Sequence, residues 1–143
     1  MLRLTIQRLG DVTVFCCAGG LTFGHAETLR NAVLAHPRMR KAVLDLAKVS
    51  SLDASGLGVL LFLRTWTQEV GIALKLMNLQ PSVARLFKIT RLRSAFEVCS
   101  AREMLDLLCR AIRQAEFAEA QSTFEVYGRV TDVANLASAK LSW

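Results

Sequence analysis

The run Asp53-Ala54-Ser55-Gly56-Leu57-Gly58 places one hydroxyl between two apolar stretches, Lys41–Val49 before it and a helical pattern after it. A helix start carries unpaired backbone N–H groups and the positive end of the helix dipole, so an oxyanion on Ser55 would meet donors and a favourable field. Gly56 and Gly58 remove side chains from the first turn, which is expected to open the approach to Ser55 at some cost in helix propensity. The arrangement suits a phosphate, or a partner that inspects a hydroxyl. A plainer reading stands beside it: Asp and Ser are common helix caps, and Ser-Gly before a helix is often only punctuation.

Catalysis by Ser55 finds no support in the neighbouring residues. A nucleophile elbow has the form G-x-S-x-G, and Asp53 and Leu57 occupy its two glycine positions. A phosphate-cradling loop of the form G-x-x-x-x-G-K-[ST] needs a lysine, and none follows these glycines. His25 and His36 lie upstream with no spacing that marks a general base. Cys16, Cys17, Cys99 and Cys109 contain no C-x-x-C pair, and on a strand Cys16 and Cys17 point to opposite faces. They are expected to be buried, reduced thiols, which suits a reducing cytoplasm. The expectation from these residues is therefore no catalytic residue, no metal site and no cofactor.

The elements that position Ser55 form an alternating series. Leu2-Thr5-Ile6 and Val12–Cys16 read as two opening antiparallel strands joined by Gly10-Asp11. Ala26, Leu29 and Val33 make a short helical stripe ended by His36-Pro37. Strand Lys41–Val49 closes in Ser50-Ser51-Leu52-Asp53, and from Leu57 the residues Val59, Leu63, Trp66 and Val70 fall at helical spacing, with Gly71 as the left-handed stop. Strand Ile72–Leu79 completes a β-α-β unit, for which parallel pairing and a right-handed crossover are expected. Pro81 opens a helix with Val83, Leu86 and Phe87, and Ala95–Cys99 is a short final strand. Ser100 with Glu103 then forms a capping box for a long helix bearing Met104, Leu108, Ala111 and Ala115. The whole predicts an α/β fold with a mixed four- to five-stranded sheet and about four helices mainly on one face. Beyond Ala120 the signals weaken: Phe124 and Val126 alternate once, Gly128 interrupts, and Val133 with Leu136 could begin a short helix. Residues 121–143 are read as an appendage docking on the domain or on a second subunit.

The 143 residues suffice for one domain with its own core. The N-terminal segment Met1–Arg8 is charged and has no secretory h-region. The uncharged stretches after Asp11 and after Asp53 are shorter than the ~20 apolar residues a spanning helix needs, so a soluble, cytoplasmic protein without membrane insertion is expected. The net charge of +6 includes an acid-free stretch between Glu69 and Glu97 with Lys75, Arg85, Lys88, Arg91 and Arg93, and a second group at Arg38, Arg40 and Lys41. A solvated basic face is the first reading and an acidic protein surface the second. Specific nucleic-acid binding is not expected, because no aromatic-basic interleaving accompanies the charge.

The run VLDLAKVSSLDASGLGVLL, the segments Gly71-Ile72-Ala73-Leu74 and Pro81-Ser82-Val83-Ala84-Arg85-Leu86-Phe87, and the order of elements together resemble the STAS domain of bacterial anti-sigma factor antagonists. The likeness runs from about residue 2 to 115 and includes Gly20-Leu21 and Ala26-Glu27-Thr28-Leu29-Arg30. It implies a STAS domain over 1–115, with 116–143 holding the end of the last helix and a C-terminal extension. The resemblance further implies a partner switch. The unmodified antagonist binds an anti-sigma factor that is also a GHKL-type serine kinase and so frees a sigma factor. Phosphorylation of the serine matching Ser55 ends that binding, and a serine phosphatase resets it. Asp53, Ala54, Ser55, Gly56, Leu57 and Gly58 would form the partner-binding surface, with Asp53 orienting the loop. A homodimer is compatible with this scheme. One departure concerns the acidic pair that many antagonists carry before the first helix, where this chain has Gly20 and Thr22. A scaffold reading stays open beside the switch. In it the chain is a non-phosphorylated STAS subunit of a stress-signalling or membrane lipid-transport complex, Ser55 merely caps, and Leu57, Val59 and the basic face make contact.

Overall fold

The computed structural model describes residues 1–36 and 38–127, with side chains to Arg113 and at Glu116. Five strands form one sheet in the order of the chain: β1 (Leu2–Leu9), β2 (Val12–Leu21), β3 (Lys41–Leu52), β4 (Ala73–Met77) and β5 (Val98–Cys99). The first pair is an antiparallel hairpin in register from Leu2 opposite Gly19 to Leu9 opposite Val12. Gly10 closes it at φ 59°, a left-handed backbone that glycine adopts without Cβ strain. The remaining pairings are parallel, Lys41 with Ala73 and Leu76 with Val98 among them, as the intervening helices require.

Side chains alternate across the sheet, so one strand serves two cores. Phe15, Cys17, Leu44, Leu46 and Leu76 face α1 (Ala26–Leu34), α2 (Ala54–Val70) and α3 (Pro81–Ile89). Val12, Val14 and Val43 face α4 (Ala101–Tyr127) through Met104 and Ala111. Cys16 and Cys17 fall on opposite faces, as their adjacency on a strand demands. Three helices thus cover one face and the fourth covers part of the other. The expected half of a capping box is present at α4, where the Glu103 N–H donates to Ser100 Oγ at 3.1 Å.

Several boundaries differ from the sequence reading, each for a pairing reason. Strand β3 continues through Ser50, Ser51 and Leu52, because the ends of β2 pair with it there, Gly20 with Ser51 and Leu21 with Leu52. Helix α2 starts at Ala54 rather than Leu57, since Asp53 rather than a later residue caps it. Its buried stripe is Gly56, Leu60, Leu63 and Thr67, with Val59 beside it, whereas Trp66 is half-buried and Val70 is exposed. The i, i+4, i+7, i+11 spacing is right but begins on a different residue, and Thr67 enters the core because its hydroxyl donates to the Leu63 carbonyl at 2.7 Å. Gly71 ends α2 in the left-handed region as expected. Strand β4 stops at Met77 because Asn78 turns to φ 60° and its side chain donates to Asp45 Oδ1 at 3.2 Å. The last strand shrinks to Val98–Cys99, a 3-10 turn taking Arg93–Ala95. Helix α1 ends at Leu34; Pro37 lies outside the described residues.

All four thiols are free, but the expectation of burial holds only for Cys17 and Cys99; Cys16 is half-buried and Cys109 is exposed on α4. Residues 121–127 continue the backbone of α4, so the alternation at Phe124 and Val126 marks no strand. Residues 128–143, where Val133 and Leu136 stand, lie outside the described residues. Among the described residues, no helix is long and apolar enough to cross a membrane.

Candidate functional site

Helix α2 begins where β3 runs out at the carboxyl edge of the parallel strands, and Asp53 makes the corner. Its backbone is extended, with φ −112° and ψ −173°. One carboxylate oxygen accepts the Gly56 N–H at 3.0 Å and the other accepts the Phe23 N–H at 2.9 Å. The first bond caps α2; the second ties the turn between β2 and α1 to the same side chain. These amides, Gly56 first and Phe23 next, hold the Asp53 carboxyl below the usual carboxylate range, so it is ionised at neutral pH.

Because Asp53 does the capping, Ser55 is released from that role. It is the second residue of α2 and half-exposed, and its hydroxyl makes no hydrogen bond among the described residues. The N–H groups of the first helical residues lie beyond the reach of intrahelical acceptors, so the hydroxyl sits in a region of positive potential.

The two glycines after Ser55 divide the work differently from the sequence expectation. Gly56 is buried, and a Cβ there would collide with the Leu21 carbonyl oxygen and meet Leu52 Cδ1 at 2.5 Å. It lets α2 close onto the end of β2 and has no part in exposing Ser55. Gly58 has open space around its Cα and keeps the surface beside Ser55 bare. Leu57 is half-buried against the main core. Of the six residues expected at this surface, Ala54 and Gly58 are exposed, Ser55, Leu57 and Asp53 are half-exposed, and Gly56 is buried, with Asp53 and Gly56 acting through the backbone they hold.

Two aromatic residues complete the surface. Phe23 is 83% exposed beside the amide that Asp53 holds, and Phe62 is 43% exposed on α2. Ala54, Gly58 and Phe62 fall at i, i+4 and i+8 and are all exposed, which makes one outward stripe on α2. The Arg30 guanidinium of α1 lies 5.8 Å from the Phe62 ring centroid and holds the ring in place. Sequence reasoning missed both phenylalanines. The signal for Phe62 was its four-residue spacing from Gly58; for Phe23 it was an aromatic placed directly before Gly24 in a turn.

Among the described residues, no side-chain hydrogen bond joins Ser55 to a histidine. His36 Nδ1 is 2.8 Å from the Ala32 carbonyl oxygen, and the ring meets Phe15 edge-on at 5.9 Å. His25 is exposed and makes no side-chain cap to α1. Among the described residues, no group of three or more His, Cys, Asp or Glu side chains converges on a common point. The basic stretch is split: Lys75 pairs with Glu97 at 3.2 Å, while Arg85, Lys88, Arg91 and Arg93 are exposed around α3 and the turn after it.

Comparison with known proteins bears on this arrangement. The family model described as "STAS domain" matches residues 3–104. BtrV of Bordetella bronchiseptica, a protein assigned as an anti-sigma factor antagonist, is 29% identical over 104 residues, which is 71% of this chain and 90% of BtrV. The structure of the unphosphorylated anti-sigma factor antagonist SpoIIAA superposes with a TM-score of 0.61 at 19% identity, covering 76% of this chain and 96% of SpoIIAA. An anti-sigma factor antagonist from Mycobacterium paratuberculosis gives a TM-score of 0.61 at 22% identity, over 79% of this chain and 95% of that one.

Proposed function

This chain belongs to the STAS domain family, and from that premise we propose that it is an anti-sigma factor antagonist switched by phosphorylation of Ser55. The unmodified α2 surface binds an anti-sigma factor with serine-kinase activity of the GHKL type, which releases a sigma factor. That kinase transfers phosphate to Ser55, and a serine phosphatase removes it. The observation that carries this reading is the division of labour at the start of α2. Asp53 satisfies the cap and leaves Ser55 with an unbonded, half-exposed hydroxyl one turn from the bare Gly58, at a corner where Asp53 also holds the amide of the exposed Phe23. An unbonded hydroxyl at a helix start is suited to receive a group from another protein.

The switch follows from charge. A phosphate brings about −1.5 to −2 charges and three strong acceptors to a surface built of Ala54, Gly58 and two phenyl rings. The helix start would stabilise that phosphate locally, while the neighbouring Asp53 carboxylate adds like charge. A partner shaped for a neutral hydroxyl would have to desolvate the new anion. A loss of only about 3 kcal/mol lowers affinity more than a hundredfold. No rearrangement of the fold is required.

The test is intact-mass measurement after incubation with ATP and candidate kinases encoded near this gene. One added phosphate on the wild-type chain and none on Ser55→Ala is the expected result. Ser55→Ala should stay bound to the kinase and Ser55→Asp should bind it poorly. Equal affinity of the two variants, or phosphate on another residue, would remove the reading.

A further inference from the structure

Helix α4 is apolar on two sides. Met104 and Ala111 are buried against the sheet, with Leu107 and Leu108 half-buried beside them. About a quarter-turn round the same helix, Leu105, Cys109 and Ile112 are exposed, Leu105 at 62% and Ile112 at 44%. Their spacing of i, i+4 and i+7 makes a continuous stripe on one helix face. A helix apolar over so wide an arc is normally buried on both sides, so the outer stripe calls for a partner.

The charges around the stripe say which partner. Arg102, Asp106 and Arg113 are exposed along one flank, and Glu116 follows in line with the stripe. The ion pairs among the described residues are Arg30–Glu27 and Lys75–Glu97, so none of these four is paired within its own chain there. We propose that the outer face of α4 is the interface of a homodimer, packed antiparallel about a two-fold axis through Cys109.

In that arrangement, positions equidistant from Cys109 oppose each other, and the two-fold keeps the charged flank on the same side in both copies. Arg102, seven residues before Cys109, meets Glu116 of the partner subunit, seven residues after it. Asp106 lies within one residue of direct opposition to Arg113 of the partner subunit, inside the reach of the arginine. Leu105, four residues before Cys109, is likewise within one residue of direct opposition to Ile112 of the partner subunit, three residues after it. The pattern of sign and apolarity is therefore complementary to itself when reversed, which an unrelated partner would not require. Because α4 lies on the face of the sheet opposite α1, α2 and α3, the dimer leaves both Ser55 surfaces uncovered, and the inference does not depend on the phosphorylation switch.

The test uses the full chain. Copper-catalysed oxidation should give a covalent dimer joined through Cys109, because facing residues of packed helices come close enough for a disulfide; Cys109→Ser should give none. Sedimentation at rising concentration should show a dimer. Ile112→Glu should weaken it about tenfold or more, and Asp106→Arg should do the same by setting like charges together. Adding Arg113→Asp to Asp106→Arg should restore it. Ser55→Asp should leave it unchanged. A wild-type chain that stays monomeric at every concentration, or a dimer indifferent to Ile112→Glu and to the charge exchange, would overturn the proposal.

Discussion

Asp53 collects two backbone amides from segments that stand 30 residues apart at Phe23 and three apart at Gly56. Half of this was legible in advance. An Asp three residues before a helical glycine announces a cap, but the bond to Phe23 depends on how β2 and β3 pair, which no local pattern encodes. Ser55 was legible as an exposed hydroxyl, yet its freedom from capping was not, because sequence alone cannot say which of two good cap residues takes the role. The bonds also set a pH dependence. The folded carboxyl titrates below its unfolded value of ~3.9, so it contributes stability above that value and loses it as pH falls through the lower, folded value. Urea unfolding at pH 7 and near pH 3 should therefore show a drop for the wild type. Asp53→Ala should be less stable at pH 7, with a smaller change on acidification.

At the scale of the element, α2 separates two glycines that look equivalent on paper. Gly56→Ala must move the helix away from the Leu21 carbonyl, and overpacking of this kind costs about 1–3 kcal/mol. Gly58→Ala meets nothing and should stabilise the helix by roughly 0.5–1 kcal/mol, because alanine loses less backbone entropy on folding. The same methyl group would stand beside Ser55 and obstruct a partner. Denaturation midpoints should move in opposite directions for the two variants, with partner affinity falling for Gly58→Ala despite its greater stability. The helices were readable from apolar spacing and stop signals such as Gly71. The phase of the α2 stripe was not, since Val59-Leu63-Trp66-Val70 and Gly56-Leu60-Leu63-Thr67 obey the same period. Only the tight contact at Gly56 chooses between them.

For the whole molecule, the sheet shields its thiols unequally. Cys17 is buried and its thiol is pushed up to about 12 by desolvation; Cys16 and Cys99 are raised by burial as well. Cys109 alone of the four is exposed. At concentrations low enough to keep the chain monomeric, a thiol reagent near pH 8 should label Cys109 at once, the half-buried Cys16 more slowly, and Cys17 and Cys99 only as the chain unfolds; rapid labelling of Cys17 and Cys99 would mean the two cores are not closed. That α4 occupies the second face, apart from the other three helices, was not readable, because an amphipathic helix shows that it packs but not on which side of a sheet. The strand order holds a last consequence. Since β1 to β5 lie side by side in the order of the chain, each new strand leaving the ribosome can join the growing edge, and none must be inserted between strands already placed. The β1–β2 hairpin can form first and serve as the template for β3. Among the described residues the last edge to be laid down, Val98–Cys99, is only two residues long, an edge too short to recruit a neighbouring chain.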